Sequence, residues 1–385
     1  MKKAVGIIAE YNPFHNGHKY QLDEAMKISK ADISIAVISG NFVERGEPAI
    51  FDKYVRTEMA LKQGIDLVVE MPSIFAMNNS EYFAKAGVEI LENLGCEYIA
   101  FGSETGDIEK LSERAERLKN ISKEDEEKIR NLIKEGYSYP RALETVCFAI
   151  DCNSEHRENP LGSNDILAVS YLKNIKSMKP IIIKRKGKGH IETATEIRDR
   201  IINGKSIKDF VPKETNKLYK EHKKKSANSE LFYELIIQKI LSSSEDELNA
   251  AFGAEEGLGS KLKKNVRKYK CFEDIVNDLK SKRYTRTRVN RVIFNILLGI
   301  DKNKVDSANN YIRVLGFSKD GANYLKEVKK NKVSKLPIIT NINKEDVSKI
   351  RETLKIDVLA TDLYNLVTKK DLYLDSENVK KPLKL

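Results

Sequence analysis

Through the first hundred residues the apolar positions come in short runs, each closed by glycine, proline or asparagine. Residues 5–9 (VGIIA) have the β-branched content of a buried strand. Asn12 and Pro13 end that run, and Leu22, Ala25, Met26 and Ser29 then recur at helical spacing. Residues 33–38 predict a second strand closing at Ser39-Gly40. The loop over 41–50 carries Arg45 and Glu47 around Gly46 and Pro48, and a helix follows over about 52–63 before Gly64 stops it. Residues 66–71 read as a third strand, closed by Pro72. Ser80 is the expected N-cap of a helix ending at Gly95, and residues 96–101 form a fourth strand reaching Gly102. Regular alternation of strand and helix predicts an α/β fold with a doubly wound, parallel, Rossmann-like sheet. In such sheets ligands bind beyond the carboxyl ends of the strands, so the loops 10–18, 40–47 and 102–105 are expected to converge.

Residues 107–150 read as a charged, solvated helix hairpin in which Ser122 caps an acidic first turn. A helix over 164–176, a strand over 180–184 and a helix over 195–203 follow. From about residue 205 the pattern becomes mainly helical, with helices expected over 214–225, 229–241, 245–252, 258–269 and 285–298. In the last of these Val289, Val292, Ile293, Ile296 and Leu297 form the predicted buried face, with Tyr284, Arg288, Arg291 and Asn295 opposite. The final segment is mixed: a helix over 320–330, a strand over 336–340, a helix over 344–354 and apolar residues 358–360. It is expected to pack on the helical region as a small α/β cap. At 385 residues the chain exceeds one ordinary core, and the pattern divides it into residues 1–204 and 205–385.

Charge separates the same two parts. Residues 1–200 hold 29 Lys and Arg against 32 Asp and Glu, a net −3, so the remainder of the +11 chain carries +14. A basic second part points to a polyanion, nucleic acid above all, although a lysine-biased composition is the plain alternative. Arg283, Arg286, Arg288 and Arg291 beside Tyr284, with Lys263, Lys264 and Arg267 upstream, offer phosphate contacts and a ring able to stack on a base. An arginine-rich solvated face is the other reading. No run of about 20 apolar residues exists and the N-terminus lacks a signal-peptide pattern, so no membrane and a cytoplasmic location are expected. Cys96, Cys147, Cys152 and Cys271 lack the spacing of a zinc site and read as buried thiols.

The candidate chemistry centres on residues 4–20, AVGIIAEYNPFHNGHKY. A strand feeding a helix is expected to leave backbone N–H groups and the positive dipole end facing an anion. His15 and His18, three residues apart, share a face and can both donate to a phosphate oxygen, while Gly17 leaves room for a base or ribose. Helix capping is the bland alternative, and no cysteine or third histidine completes a metal set. Arg185 and Arg198 flank the basic stretch KRKGKGH and the helix start TATEIR, and are placed to hold ATP phosphates. Pairing with Glu192 or Glu196 is the structural alternative. The sequence offers no G-x-S-x-G and no Cys–His pair in the site loops, hence no evident covalent nucleophile. That suits a substrate that brings its own nucleophile, such as a carboxylate attacking the α-phosphate of ATP, with His15, His18, Lys19, Arg185, Arg198 and Mg²⁺ offsetting charge. A metabolic nucleotidyltransferase acting on a small phosphate ester, and a non-catalytic RNA-binding protein, remain as alternatives.

HNGH after a first strand resembles the nucleotidyltransferase superfamily and, more distantly, class I aminoacyl-tRNA synthetases, whose KMSKS-like loop is not found here. The longer series EYNPFHNGHKY, SGNFVERGEPAIFDKYVRTEMAL, DLVVEMP, FGSETGD, GSNDILA, RYTRTRVNR and YIRVLGFSKDGANYL is similar over nearly the whole chain to the bacterial tRNA(Met) cytidine acetate ligase family. The resemblance implies that acetate and ATP give acetyl-adenylate and pyrophosphate, and that acetyl then passes to the exocyclic amine of the wobble cytidine of elongator tRNA(Met). It implies ATP contacts from Ile7, Ile8, Ala9, Glu10, Tyr11, Asn12, Pro13, Phe14, His15, Asn16, Gly17, His18, Lys19 and Tyr20. Gly102, Asn164 and Arg185 are further ATP contacts on the same ground, and His15, His18 and Arg198 are assigned to catalysis. Gly162-Ser163-Asn164-Asp165 stands where the family usually shows a proline followed by two asparagines. The resemblance makes residues 1–204 the nucleotidyltransferase-like part and 205–385 the tRNA-binding part, and it sets no oligomeric state.

Overall fold

The computed structural model describes residues 1–135, 137, 139–148, 162–185, 193–254, 257–281, 284–344 and 346–385. In chain order the strands are β1 (Ala4–Ala9), β2 (Ile33–Ser39), the short hairpin β3 (Phe42–Val43) and β4 (Glu47–Pro48), β5 (Leu67–Met71), β6 (Tyr98–Ser103), β7 (Lys179–Lys184), β8 (Ile312–Phe317), β9 (Ile338–Ile339) and β10 (Leu383–Lys384). The main sheet has the order β10-β8-β5-β2-β1-β6-β7, with β9 also pairing with β8. It is parallel throughout except where β8 runs antiparallel to β5. The sequence reversal across β1 places its carboxyl end at the centre of the sheet's ligand edge.

Helices α1 (Asn16–Ser29), α2 (Lys53–Leu61), α3 (Ser73–Ala76), α4 (Ser80–Asn93), α5 (Ile108–Lys119), α6 (Lys123–Lys134), α7 (Tyr139–Phe148), α8 (Ser163–Asn174), α9 (Ala194–Ile202) and α10 (Lys213–His222) follow the first strands. Both faces of the sheet are covered, as period-two side-chain alternation in a parallel sheet requires. Val5, Ile7, Ala36 and Ile38 pack against α1, α2, α9 and α10. Ala4, Ile8, Ile35 and Val37 pack on the other side against α4, α5 and α8. Each fully buried valine or isoleucine among them contributes about 1.5–3 kcal/mol.

The second part adds α11 (Tyr233–Ser242), α12 (Glu245–Ala250), α13 (Leu258–Asn265), α14 (Phe272–Leu279), α15 (Arg286–Leu298), α16 (Lys302–Ser307), α17 (Lys319–Lys330) and α18 (Arg351–Val367). Helices α11–α16 share a core with Phe42, Ile74, Met77 and Tyr364, so the helical region grips β3, α3 and α18. The C-terminal α/β segment does not cap the helical region. Its strands β8, β9 and β10 extend the main sheet, and α17 lies on the face that carries α4. Helix α18 starts seven residues later than the pattern predicts and runs through the apolar stretch 358–360. The N-cap of α4 is Asn79 rather than Ser80, accepting from the backbone of Glu81 and Tyr82. Among the described residues no helix is long and apolar enough to cross a membrane. Cys96 and Cys147 are buried free thiols, Cys271 is half-buried, and Cys152 lies outside the described residues.

A buried ionic cluster joins the two parts beside the ligand edge. Lys53 of α2 donates to both oxygens of Glu70 at 2.7 Å and pairs with Glu377 at 2.5 Å, while Arg313 of β8 reaches Glu377 at 3.4 Å. Burial pushes the Glu70 carboxyl up to about 7 against the pull of Lys53. Glu377, which burial alone would raise, is held below its ordinary value by Lys53 and Arg313. Removing one member leaves uncompensated charge in the interior. Lys53→Met is therefore expected to cost about 3–5 kcal/mol in urea unfolding, and a loss within experimental error would contradict the assignment of the cluster.

Candidate active site

The loop between β1 and α1 is built from its own rings. His15 is the N-cap of α1, and its Nδ1 accepts from the Gly17 N–H at 3.0 Å. His18 completes a capping box, its Nδ1 accepting from the His15 N–H at 3.2 Å. The two imidazoles stack with centroids 3.7 Å apart, and Tyr11 and Phe14 close round His18 at 4.9 and 5.5 Å. Burial, with Arg185 and Arg198 nearby, pushes His15 down to about 4. Burial, His15 and Arg185 hold His18 well below the ordinary imidazole value. Both rings are therefore neutral at pH 7. With Nδ1 accepting in each, the proton sits on Nε2, so each ring caps the helix through one nitrogen and keeps one N–H donor on the other. The capping and phosphate-holding readings are compatible because they use different atoms.

One expectation is corrected. The first backbone N–H groups of α1 are not open to an anion: Asn16 donates to the Phe210 carbonyl at 3.0 Å, Gly17 to His15 Nδ1, and His18 and Lys19 to the His15 carbonyl at 2.9 and 3.1 Å. The donors left at this helix start are side chains, supplemented by the dipole. Lys19 is tied to Asp23 one turn on.

The other nominated residues surround this point. Arg198 in α9 donates to the Asn12 carbonyl and to Thr195 Oγ1, both at 3.1 Å, while Glu196 is engaged in a capping box with Thr193. Glu192 lies outside the described residues. Arg185 follows β7, its stem against Gly102 of β6, and bears electrostatically on both histidines. Ile7 and Ile8 are core side chains, so only their backbone can face a ligand. Asn164 lies at the start of α8, where the Glu104 carboxylate accepts from its side-chain amide at 2.5 Å and from the Asp165 N–H at 2.9 Å. Asp165 in turn accepts from Ser103 Oγ and from the Glu104 and Thr105 N–H groups. A Cβ on Gly162 would come within 2.5 Å of the Glu104 carboxyl carbon, which explains glycine there.

The loop after β2 bridges this centre to the helical part. Glu10 accepts from the Glu44 N–H at 2.9 Å, and Asn12 Oδ1 from the Ile50 N–H at 2.7 Å. Gly46 has φ +68° and sits so close to α15 that a Cβ would meet the Arg291 nitrogen at 2.3 Å. Fully buried Arg56 ties the loop ends together, donating to the carbonyls of Phe51, Glu10, Ser39 and Gly40. Arg56, Glu104 and Asp165 are not among the nominated residues. The available signal for Arg56 is a charge within the apolar helical run YVRTEMAL.

The nominated basic residues do not form one free stripe. Arg291 pairs with Glu44 and donates to its carbonyl at 2.7 Å; Arg286 makes a two-point pair with Glu273 at 2.6 Å. Lys263 caps the end of α11 through the carbonyls of Ile240, Leu241 and Ser243. Arg288 lies over the Tyr284 ring at 4.6 Å, and Lys264 and Arg267 are exposed. Arg283 lies outside the described residues. Tyr284 and Asn295, expected on the open face of α15, are buried, and Asn295 donates to the Phe252 carbonyl at 3.0 Å.

The depressed His15 value has a measurable sign. The unfolded chain binds the proton at an ordinary value near 6.5 while the folded chain resists it until about 4, so this contribution to stability is complete above pH 6.5 and lost as pH falls towards 4. His15→Asn keeps a capping oxygen and removes the titration. On acidification from pH 6.5 to 5 the variant should lose about 1–2 kcal/mol less stability than the wild type, as read by denaturant unfolding at each pH. Parallel losses would place the ordinary imidazole value back on His15.

Residues 1–378 match the family model described as HIGH Nucleotidyl Transferase. The tRNA(Met) cytidine acetate ligase of Thermoanaerobacter sp. (strain X514) is 39% identical over 95% of each chain, and that of Staphylococcus haemolyticus 38% identical over the same shares. The crystal structure of apo Thermotoga maritima TmcAL superposes with a TM-score of 0.88 at 28% identity, covering 100% of this chain and 99% of that one. The same protein bound with alpha-thio ATP gives a TM-score of 0.87. The chain belongs to the HIGH nucleotidyl transferase family and, within it, to the tRNA(Met) cytidine acetate ligases.

Proposed function

We propose that this chain activates acetate with ATP and transfers the acetyl group to the exocyclic amine of the wobble cytidine of elongator tRNA(Met), giving N4-acetylcytidine, AMP and pyrophosphate. The observation that carries the reading is the stacked pair of imidazoles at the start of α1, each accepting a backbone N–H at Nδ1 and so left with Nε2 as a donor, with Arg185 and Arg198 near them. The relatives' shared name and the alpha-thio ATP bound by the Thermotoga protein support it.

In the first step an acetate oxygen bonds to the α-phosphorus while the bond to the bridging oxygen of pyrophosphate breaks. Acetate is already ionised, so no general base is needed. His15 and His18 donate to phosphate oxygens without adding charge that would have to be neutralised later, and Arg185 and Arg198 offset the growing charge on pyrophosphate. Mg²⁺ belongs to this reading as an ion carried on the ATP phosphates. In the second step the cytidine amine attacks the acyl carbon, the electron pair leaves on AMP, and the amine proton passes to solvent. The cytidine must leave its stack to reach the site. We assign adenylate formation to residues 1–204 and tRNA contact to 205–385, with the 41–50 loop and α15 between them. A cytoplasmic location follows from the substrate.

The test is ATP-dependent pyrophosphate release with a panel of small carboxylates, with and without unmodified tRNA, followed by nucleoside analysis. Release that depends on acetate, with acetylcytidine appearing in the tRNA, is expected; release with a phosphate ester and unchanged tRNA would replace the reading with a metabolic transferase. His18→Ala should lower acetate-dependent release by about 100- to 1000-fold, and a loss below about threefold would remove its assigned role. Arg288→Ala should reduce the salt slope of tRNA binding by about 1; an unchanged slope would take Arg288 out of the interface.

A further inference from the structure

Beside its contacts with α15, loop 41–52 anchors two surface segments. The first is the 3₁₀ turn Lys223–Lys225, three consecutive exposed lysines after α10. It is fixed by the Ala227 N–H, which donates to the Ile50 carbonyl at 2.9 Å, and Ile50 in turn donates to Asn12 of the nucleotide loop. The second is the tip after α18. There Lys370 pairs with Asp52 at 2.6 Å, and within α18 itself Tyr364 OH donates to the Ala49 carbonyl at 2.8 Å. The two anchors, Ile50 and Asp52, are two residues apart, within about 7 Å along the chain.

Each segment carries an unmet physical demand. Lys223, Lys224 and Lys225 are consecutive and exposed, and among the described residues their side chains have no acidic partner. Three adjacent unneutralised cations repel one another and are relieved by a polyanion. The tip presents Leu372, Tyr373 and Leu374 to solvent, and Tyr373 is 74% exposed. This exposure is not that of a loose end. Asp371 accepts from the N–H groups of Tyr373 and Leu374 at 2.9 and 2.7 Å, and Ser376 Oγ donates to the Tyr373 carbonyl at 2.7 Å. The backbone that carries the ring is held in place in advance, so less entropy is lost when something stacks on the tip.

We propose that the Lys223–Lys225 turn and the Tyr373 tip form a second RNA-contact surface. The lysines take backbone phosphates and the tyrosine stacks on an unpaired base beside the nucleotide loop. Lysine with an aromatic ring is what single-stranded RNA recognition uses, and the basic turn favours RNA over an apolar protein partner. The surface would hold the strand on one side of the acceptor base while α15 contacts it on the other, and this inference rests on the tRNA reading above.

The test measures binding of an unmodified elongator tRNA(Met) transcript to the full chain across a salt series. Urea unfolding midpoints matched to wild type certify that the variants are folded. The triple variant K223A/K224A/K225A should bind more weakly at low salt, with the salt slope reduced by about 2 to 3. Tyr373→Ala should weaken binding about tenfold with the slope unchanged. Wild-type affinity and slope in both variants would overturn the surface. A lysine effect with no tyrosine effect would also overturn it as drawn and leave the tip to a protein partner. If the wild-type chain itself bound no tRNA, the tRNA reading would fall first and this inference with it.

Discussion

A single guanidinium holds the ligand edge of this molecule together. Arg56 is fully buried on α2, forms no ion pair among the described residues, and spends its donors on the carbonyls of Glu10, Ser39, Gly40 and Phe51. These carbonyls follow β1, end β2 and close the loop after β2, so one side chain ties together the backbone of three segments at the sheet's ligand edge. Burying a charge in this way is tolerable because planar, forked donors meet oriented carbonyl dipoles. The geometry of the histidine loop and of the loop that meets α15 both descend from it.

Closure of the sheet by the end of the chain adds the second constraint. β8 enters antiparallel beside β5, and Lys53, Glu70, Arg313 and Glu377 neutralise one another beneath the same edge. The basic helical region is thus clamped between β3 and α18, not tethered by a linker. A nucleotide at α1 and a polyanion on the second part would address one rigid frame, which is what transfer between two large substrates demands.

Much of the local structure of the candidate site was legible in the sequence because it is local. Strand, broken loop and HNGH helix start lie within 17 residues, and their rings and caps are neighbours in the chain. What was not legible is what depends on distant partners. The Phe210 carbonyl takes the Asn16 N–H from nearly 200 residues away, so the expected open backbone donors were wrong. The β8 run is too short for periodicity to separate from a helix, and nothing local encodes its pairing with β5. In α18 the polar residues Thr353, Asp357, Thr361 and Asn365 recur every fourth position on the buried side, which hid the helical pattern. Likewise Asn290 and Asn295 are buried in α15, and its arginines divide between acidic partners and a ring, so counting charges overstated the free stripe.

In the proposed reaction acetate attacks the α-phosphorus of ATP held at the histidine loop. The most direct measurement is the fate of oxygen from ¹⁸O-labelled acetate during tRNA acetylation, read by mass spectrometry of the nucleotide products. One labelled oxygen in AMP, with unlabelled pyrophosphate, is the predicted result, because the oxygen that bonds to phosphorus stays there when acetyl leaves. Label in phosphate or pyrophosphate, or AMP free of label, would contradict it.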